Sequence, residues 1–171
     1  MPQDEWFEIV EGEAIHQGDI FEECPILSPD PDADDDAEQV PSTRSVYDLV
    51  VMSQTCDLEQ RKIKQVLLCP VWYLSEMHGY LSTTKGKEDA RRGNLPAFHL
   101  INKCEIKGFE RDYRVVDFRD VYTLPADFLR HRAVAKGQRL RILSPYREHL
   151  SQAFARFFMR VGLPVDIPPF K

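Results

Sequence analysis

The feature that most constrains the fold is a helical stripe of apolar side chains near the C-terminus. Ser144 suits the helix N-cap, and Pro145 suits the first helical position. Gly162 suits the C-terminal cap, and Pro164 prevents the helix from continuing. Because burial of a Phe or Leu side chain contributes about 1.5–3 kcal/mol, we expect this helix to pack across a sheet. The stripe consists of Tyr146, Leu150, Phe154, Phe157, Phe158 and Val161.

Short apolar segments with β-branched residues predict the strands of that sheet. Residues 1–17 are expected to form either a short strand or a covering arm. A helix is expected near 73–81 and a helical turn at 125–130. Residues 103–112 suit a hairpin connection around Gly108. The sequence therefore predicts an α+β fold: a small curved antiparallel β-sheet or SH3-like barrel packed by the C-terminal amphipathic helix. The predicted strands are 18–27, 46–53, 63–72, 97–101, 113–118 and 138–143.

The chain of 171 residues is long enough for one domain over 1–171 with one core. Residues at about 28–44 combine prolines with closely spaced aspartates and lack an apolar anchor, so we expect a mobile acidic loop. A calcium loop is the alternative, but the spacing lacks the internal Gly and terminal Glu of an EF-hand.

Several function classes are not supported by the sequence. No apolar run approaches the roughly 20 residues of a membrane span, and the acidic N-terminus does not resemble a signal peptide, so a cytoplasmic protein without a membrane partner is expected. Nucleotide-binding and hydrolase motifs are missing, and we predict no cofactor. The four cysteines form no CxxC pair, which predicts neither a metal site nor disulfides. They are Cys24, Cys56, Cys69 and Cys104.

A run of polar groups after the second predicted strand is the first candidate site. Cys56 and Asp57 are the candidate catalytic residues, with His99 as a third if its strand brings the imidazole to the thiol. The alternative is that Asp57 caps a helical turn, that the neighbouring hydroxyls bond loop backbone, and that Cys56 and His99 are simply packed. The candidate binding residues in this run are Ser53, Gln54 and Thr55.

Charge is divided unequally between the two halves of the chain. Residues 1–83 contain 4 Lys+Arg and 18 Asp+Glu, whereas residues 84–171 contain 18 and 10. A basic half can bind phosphate, and we predict a basic groove from Arg139, Arg141 and Arg147 with a possible RNA partner. The alternative is that the two halves of one domain complement each other.

The order of parts over residues 18–72 resembles the MazF/PemK plasmid-toxin family of SH3-like barrels. The resemblance rests on Gly18-Asp19-Ile20, the acidic loop, the strand ending at Ser53, and Val66 to Val71. It implies a small barrel and, at its strongest, an RNA-directed toxin. The family's Arg-Pro is replaced here by Val46-Tyr47-Asp48, so no catalytic residue is transferred.

Two functional hypotheses follow. The first is a toxin-related or defence-related module that binds RNA or a protein partner. The second is an enzyme or small-ligand sensor centred on Cys56 and Asp57, in which Cys56 would alkylate faster than a free thiol. The sequence makes no prediction of oligomeric state.

Overall fold

The structure is a computed structural model that describes residues 5–34, 36 and 38–159. Over this part of the chain it contains eight strands and four α-helices. Two 3₁₀ turns, Leu74–Glu76 and Gly79–Ser82, follow β4. The elements are β1 (Phe7–Val10), β2 (Ile20–Pro29), β3 (Ser42–Val51), α1 (Thr55–Glu59), β4 (Gln65–Tyr73), α2 (Thr84–Arg91), β5 (Phe98–Ile101), β6 (Arg114–Asp117), β7 (Tyr122–Pro125), α3 (Ala126–Lys136), β8 (Arg139–Ile142) and α4 (Tyr146–Phe158).

The strands form two antiparallel sheets. The larger has the order β2-β3-β4-β6-β5, and β7 pairs with the first half of β4 beside β6. The smaller pairs β1 with β8. The amide of Ile142 donates to the carbonyl of Gly18 at 3.0 Å, which joins the two sheets at the start of β2.

The α+β prediction is confirmed, but the alternative of a closed barrel is wrong. Among the described residues β5 pairs only with β6, and β1 pairs only with β8. The outer edge of β5 faces a cleft and helix α4 instead of another strand. The sheet therefore remains open at β5.

Both faces of the larger sheet are buried because side chains alternate along its central strands. In β3, Leu49 and Val51 belong to one apolar cluster, whereas Val50 belongs to the other. Helix α4 covers the cluster that contains Val50 through Leu150, which is fully buried. Helix α3 covers the opposite cluster through Leu129.

Some predicted boundaries need correction. The helix expected near 73–81 is wrong, because the chain forms two separate 3₁₀ turns, the second of which begins at Gly79 with a left-handed φ of +64°. The helix lies further on, at α2, where the Thr83 hydroxyl accepts from the Gly86 amide at 2.9 Å. The strand β7 was not predicted, and the helical turn expected at 125–130 extends through α3 to Lys136.

The C-terminal helix is confirmed, but its predicted cap is wrong. Pro145 occupies the N-cap without a side-chain cap bond, and the Ser144 hydroxyl binds the Glu148 carboxylate. Phe158 is 59% exposed, so it lies outside the packed stripe. Val161, Gly162 and Pro164 lie outside the described residues.

The acidic loop is shorter than predicted. Strands β2 and β3 remain paired up to Pro29 and Ser42, so the connection covers about residues 30–41. The amide of Asp30 donates to the carbonyl of Pro41 at 2.8 Å, which closes this connection at its base.

None of the helices in the described ranges is both long and apolar enough to cross a bilayer.

Candidate functional site

The polar run after β3 holds the loops around it in place. The Ser53 hydroxyl accepts from the Leu67 amide at 2.8 Å, and the Thr55 hydroxyl accepts from the Gln17 amide at 3.1 Å. These two hydroxyls are therefore used for local main chain. Asp57 lies inside the first turn of α1, and Gln54 occupies the N-cap without a side-chain cap bond.

The same run also contacts helix α4. The Gln54 side-chain amide lies 3.5 Å from the Ser151 hydroxyl. The Gln17 side chain, which is buried, donates to the Met52 carbonyl at 2.8 Å and reaches Ser151 at 3.4 Å. These contacts fix the start of α1 against α4.

Cys56 is exposed, and the only hydrogen bond of its thiol among the described residues is to Asp57, with a distance of 3.9 Å between Sγ and Oδ1. No histidine or arginine in the described part of the chain hydrogen-bonds to the thiol. His99 lines the cleft beside β5, and Cys56 does not. The structure therefore does not join Cys56, Asp57 and His99 in one hydrogen-bonded group.

Arg139 and Arg141 belong to a buried ion cluster around Asp19. Asp19 is fully buried, and Arg139 Nε donates to its Oδ2 at 2.9 Å. Arg141 Nε donates to Oδ1 of the same carboxylate. Arg139 also donates to the carbonyls of Gly12 and Ala14, which holds the segment before β2. Since both guanidinium groups are used inside the fold, these arginines do not form the expected basic groove.

Arg147 differs from these two arginines because it is partly exposed. Its guanidinium pairs with Glu148 at 2.6 Å. Its Cγ lies beside Gly18, where a Cβ would be 3.4 Å away. Arg147 therefore covers the junction of the two sheets while its charge is partly compensated.

The largest opening described is a cleft of about 1130 Å³ between the outer edge of β5 and one face of α4. At one end the Trp6 and Tyr146 rings stack with centroids 3.7 Å apart and planes at 11°. The walls are mainly apolar, with polar groups from both elements. The lining of the cleft includes Trp6, Phe98, His99, Leu100, His149 and Arg156.

His99 carries no charge in this cleft at neutral pH. Burial, and to a smaller extent the nearby His149, lower the pKa of the imidazole from 6.5 to about 4. The ring packs on Phe118 at 6.4 Å between centroids. His99 is therefore a neutral wall residue that can donate or accept one hydrogen bond.

Three arginines stand at the rim. Arg91 and Arg92 both pair with Glu88, at 2.6 and 2.7 Å. Arg156 makes no ion pair with any described residue. The charge left for a ligand is therefore concentrated at Arg156.

The strand edge in the cleft presents unused backbone groups. The amide of Phe118 donates to the carbonyl of Ala97 at 2.9 Å, and the register continues with His99 opposite Val116. In an antiparallel pair alternate residues bond to the same neighbour. Residues 97, 99 and 101 therefore face β6, whereas the backbone groups of Phe98 and Leu100 face the cleft. The amide of Phe98 already donates to the carbonyl of Leu95 at 3.0 Å, so among the described residues Leu100 is the one that keeps both groups for a ligand.

Compared with models of known families and with curated protein sequences, the chain matches none. Among the described residues no group of three or more His, Cys, Asp or Glu side chains is placed to hold a metal ion. The site must therefore be interpreted from its own geometry.

Proposed function

We propose that this chain is a peptide-binding module whose cleft takes an extended segment of a protein partner. The segment would pair with the outer edge of β5 and lie against α4. The observation that carries this proposal is the open strand edge, with Leu100 presenting both its amide and its carbonyl to the cleft. Strand addition of this kind obtains affinity from main-chain hydrogen bonds and specificity from alternate side chains.

Charge supports an acidic segment in this position. Arg156 has no described ion pair, and it lies on the face of α4 that lines the cleft. A charge-assisted hydrogen bond to it is worth about 1.5–3 kcal/mol. Apolar side chains of the segment would pack on the stacked Trp6 and Tyr146 rings.

RNA, the other partner predicted from the sequence, is less well supported. The neutral His99 adds no positive charge, Arg91 and Arg92 share one carboxylate, and Arg139 is buried. Phosphate binding depends on free cationic side chains and weakens steeply with salt. A strand edge, by contrast, complements a peptide backbone and not a phosphate chain.

The proposal is tested by selecting ligands from a phage-displayed library of random 12-residue peptides and measuring the affinity of a selected peptide by fluorescence polarisation. The peptide amides fall into two alternating sets, and only one set faces β5. N-methylation of amides in that set should weaken binding about tenfold or more, whereas N-methylation in the other set should weaken it much less. Arg156→Glu should weaken binding about tenfold or more. The charge-matched control Lys64→Glu lies outside the cleft lining and should bind normally.

Two further arms decide between the hypotheses. Cys56→Ser should leave peptide affinity unchanged, since Cys56 does not line the cleft. A 12-nucleotide single-stranded RNA of mixed sequence should not bind at low salt. Selection of no binding peptide would overturn the proposal, and so would N-methylation effects that do not alternate along the peptide. RNA binding that Arg156→Glu abolishes would favour the RNA hypothesis instead.

A further inference from the structure

A second cleft, of about 660 Å³, lies on the other side of residues 95–98. Leu95 and Phe98 line both clefts, so the second begins where the strand edge of the first ends. A segment that follows β5 past Phe98 would enter it. The lining of the second cleft includes Trp72, Glu76, Tyr80, Phe98, Asp117 and Asp120.

The lining of the second cleft combines aromatic rings with carboxylates. Three carboxylates stand there against one guanidinium, that of Arg119. Glu76 and Asp120 make no ion pair with any described residue. This charge balance is opposite to that of the first cleft, where Arg156 is the uncompensated group.

The wall already binds one organic cation from the chain itself. The guanidinium carbon of Arg119 lies 4.7 Å from the centroid of the Phe98 ring. The same group donates to Asp117 from Nε at 2.9 Å and from Nη2 at 2.7 Å. Asp117 is only 2% exposed, so Arg119 is paired with a buried carboxylate. The Trp72 and Tyr80 side chains line the same cleft as Glu76 and Asp120.

We infer that the second cleft binds an organic cation, the ammonium or guanidinium of a lysine or arginine side chain on the same partner segment. The source of the cation rests on the proposed function, whereas the chemistry of the cleft does not. An ammonium or guanidinium is attracted both to the face of an aromatic ring and to the carboxylates. The partner segment would thus carry an acidic residue for Arg156 and a basic residue for the second cleft.

The two tryptophans of the chain allow the clefts to be observed separately. Trp6 lines the first cleft and Trp72 lines the second. In a ¹⁵N-labelled sample each gives one indole N–H resonance, which the Trp6→Phe variant assigns. Titration with Nα-acetyl-arginine amide should move the Trp72 resonance and leave the Trp6 resonance in place. Nα-acetyl-glutamate amide should move neither.

Variants test whether the carboxylates cause this binding. The double variant Glu76→Gln, Asp120→Asn should weaken arginine amide binding about fivefold, because it removes two exposed carboxylates that would attract the guanidinium. The matched control Glu105→Gln, Asp112→Asn removes two exposed carboxylates outside the second cleft and should change nothing. No movement of Trp72, or movement that the double variant retains, would overturn the cation site.

The selected peptide then tests the source of the cation. It should move both indole resonances, and replacing its basic residue by norleucine should abolish the Trp72 response alone. If the peptide moves only Trp6, the segment does not reach the second cleft, and this inference fails while the proposed function stands. If no peptide binds at all, the proposed function fails, and the titration with arginine amide alone decides the cation site.

Discussion

His99 illustrates how the surroundings of one side chain decide its chemistry. The sequence offered a catalytic partner for Cys56 or a packed residue. In the structure the ring lies on Phe118 and lines the cleft, and burial lowers its pKa to about 4. At neutral pH such an imidazole is uncharged and suits a peptide better than a phosphate.

The low pKa of His99 makes stability depend on pH. The unfolded chain takes up a proton near pH 6.5, whereas the folded chain does so only near pH 4. Stability should therefore fall as the pH falls from about 6.5 towards 4, and His99 should have no effect above that range. In urea unfolding at pH 7 and pH 5, the His99→Gln variant should lose less stability than the wild type.

His78→Gln serves as the matched control, because His78 is exposed. It should lose as much stability between pH 7 and pH 5 as the wild type does. If the wild type and His99→Gln lose the same free energy of unfolding between pH 7 and pH 5, His99 takes up its proton at the same pH in the folded and the unfolded chain.

At the scale of elements, the helix that covers the sheet is the decisive one. Helix α4 buries Leu150 completely and packs Phe154 edge-on against Phe118, with ring centroids 5.4 Å apart. The same helix supplies one wall of the cleft through His149 and Arg156. One helix therefore both covers the core and forms a wall of the cleft.

Truncating the buried side of α4 should be costly. Leu150→Ala should lower the free energy of unfolding by about 2–5 kcal/mol, because it removes apolar contacts and leaves a cavity. Phe158→Ala should cost less than about 1 kcal/mol, since Phe158 is 59% exposed. Guanidinium chloride unfolding followed by circular dichroism measures both. Similar losses for the two variants would mean that α4 is not packed as described.

Elements with a strong local pattern could be predicted from the sequence, and others could not. The short apolar and partly β-branched run of Leu49, Val50 and Val51 predicted β3, and the apolar stripe predicted α4. The pattern at 73–81 has helical spacing, but the left-handed Gly79 interrupts it. Strand β7 is only four residues long, so its alternation of half-buried and exposed side chains is too short to identify it in the sequence.

The cleft could not be predicted because residues far apart in the chain form it. Trp6, Leu100 and Arg156 come from three separate elements, and nothing local indicates that they share a surface. The polar run after β3 was visible because its residues are adjacent. Adjacency did not reveal that Ser53 and Thr55 bond to main chain from other loops.

For the whole molecule, the unequal distribution of charge is explained by pairing between the two halves. Glu22 binds Arg111 through two bonds of 2.7 Å, and Glu23 pairs with Lys136 at 3.0 Å. Asp19 holds Arg139 in the interior. The acidic half and the basic half thus complement each other within one fold, as the simpler interpretation of the sequence held.

The Asp19 cluster should be essential to this arrangement. Asp19→Asn would leave the Arg139 guanidinium, at 6% side-chain exposure, without a counter-charge, and would leave Arg141, at 11%, with only Glu8 at 3.7 Å. The expected loss is about 3–5 kcal/mol of unfolding free energy, measured by denaturant unfolding. Asp127→Asn breaks a pair whose carboxylate is 82% exposed and should cost less than about 1 kcal/mol. A loss as small as that of the control would show that the cluster is hydrated and weak.

The pairing of β1 with β8 has a consequence for synthesis on the ribosome. Phe7 is opposite Ile142, so β1 has no strand partner until nearly all of the described chain has been translated. Trp6 and Phe7 would remain exposed to chaperones during that interval. The cleft would be complete only after α4 has emerged from the ribosome, because Trp6 reaches its place beside Tyr146 only then.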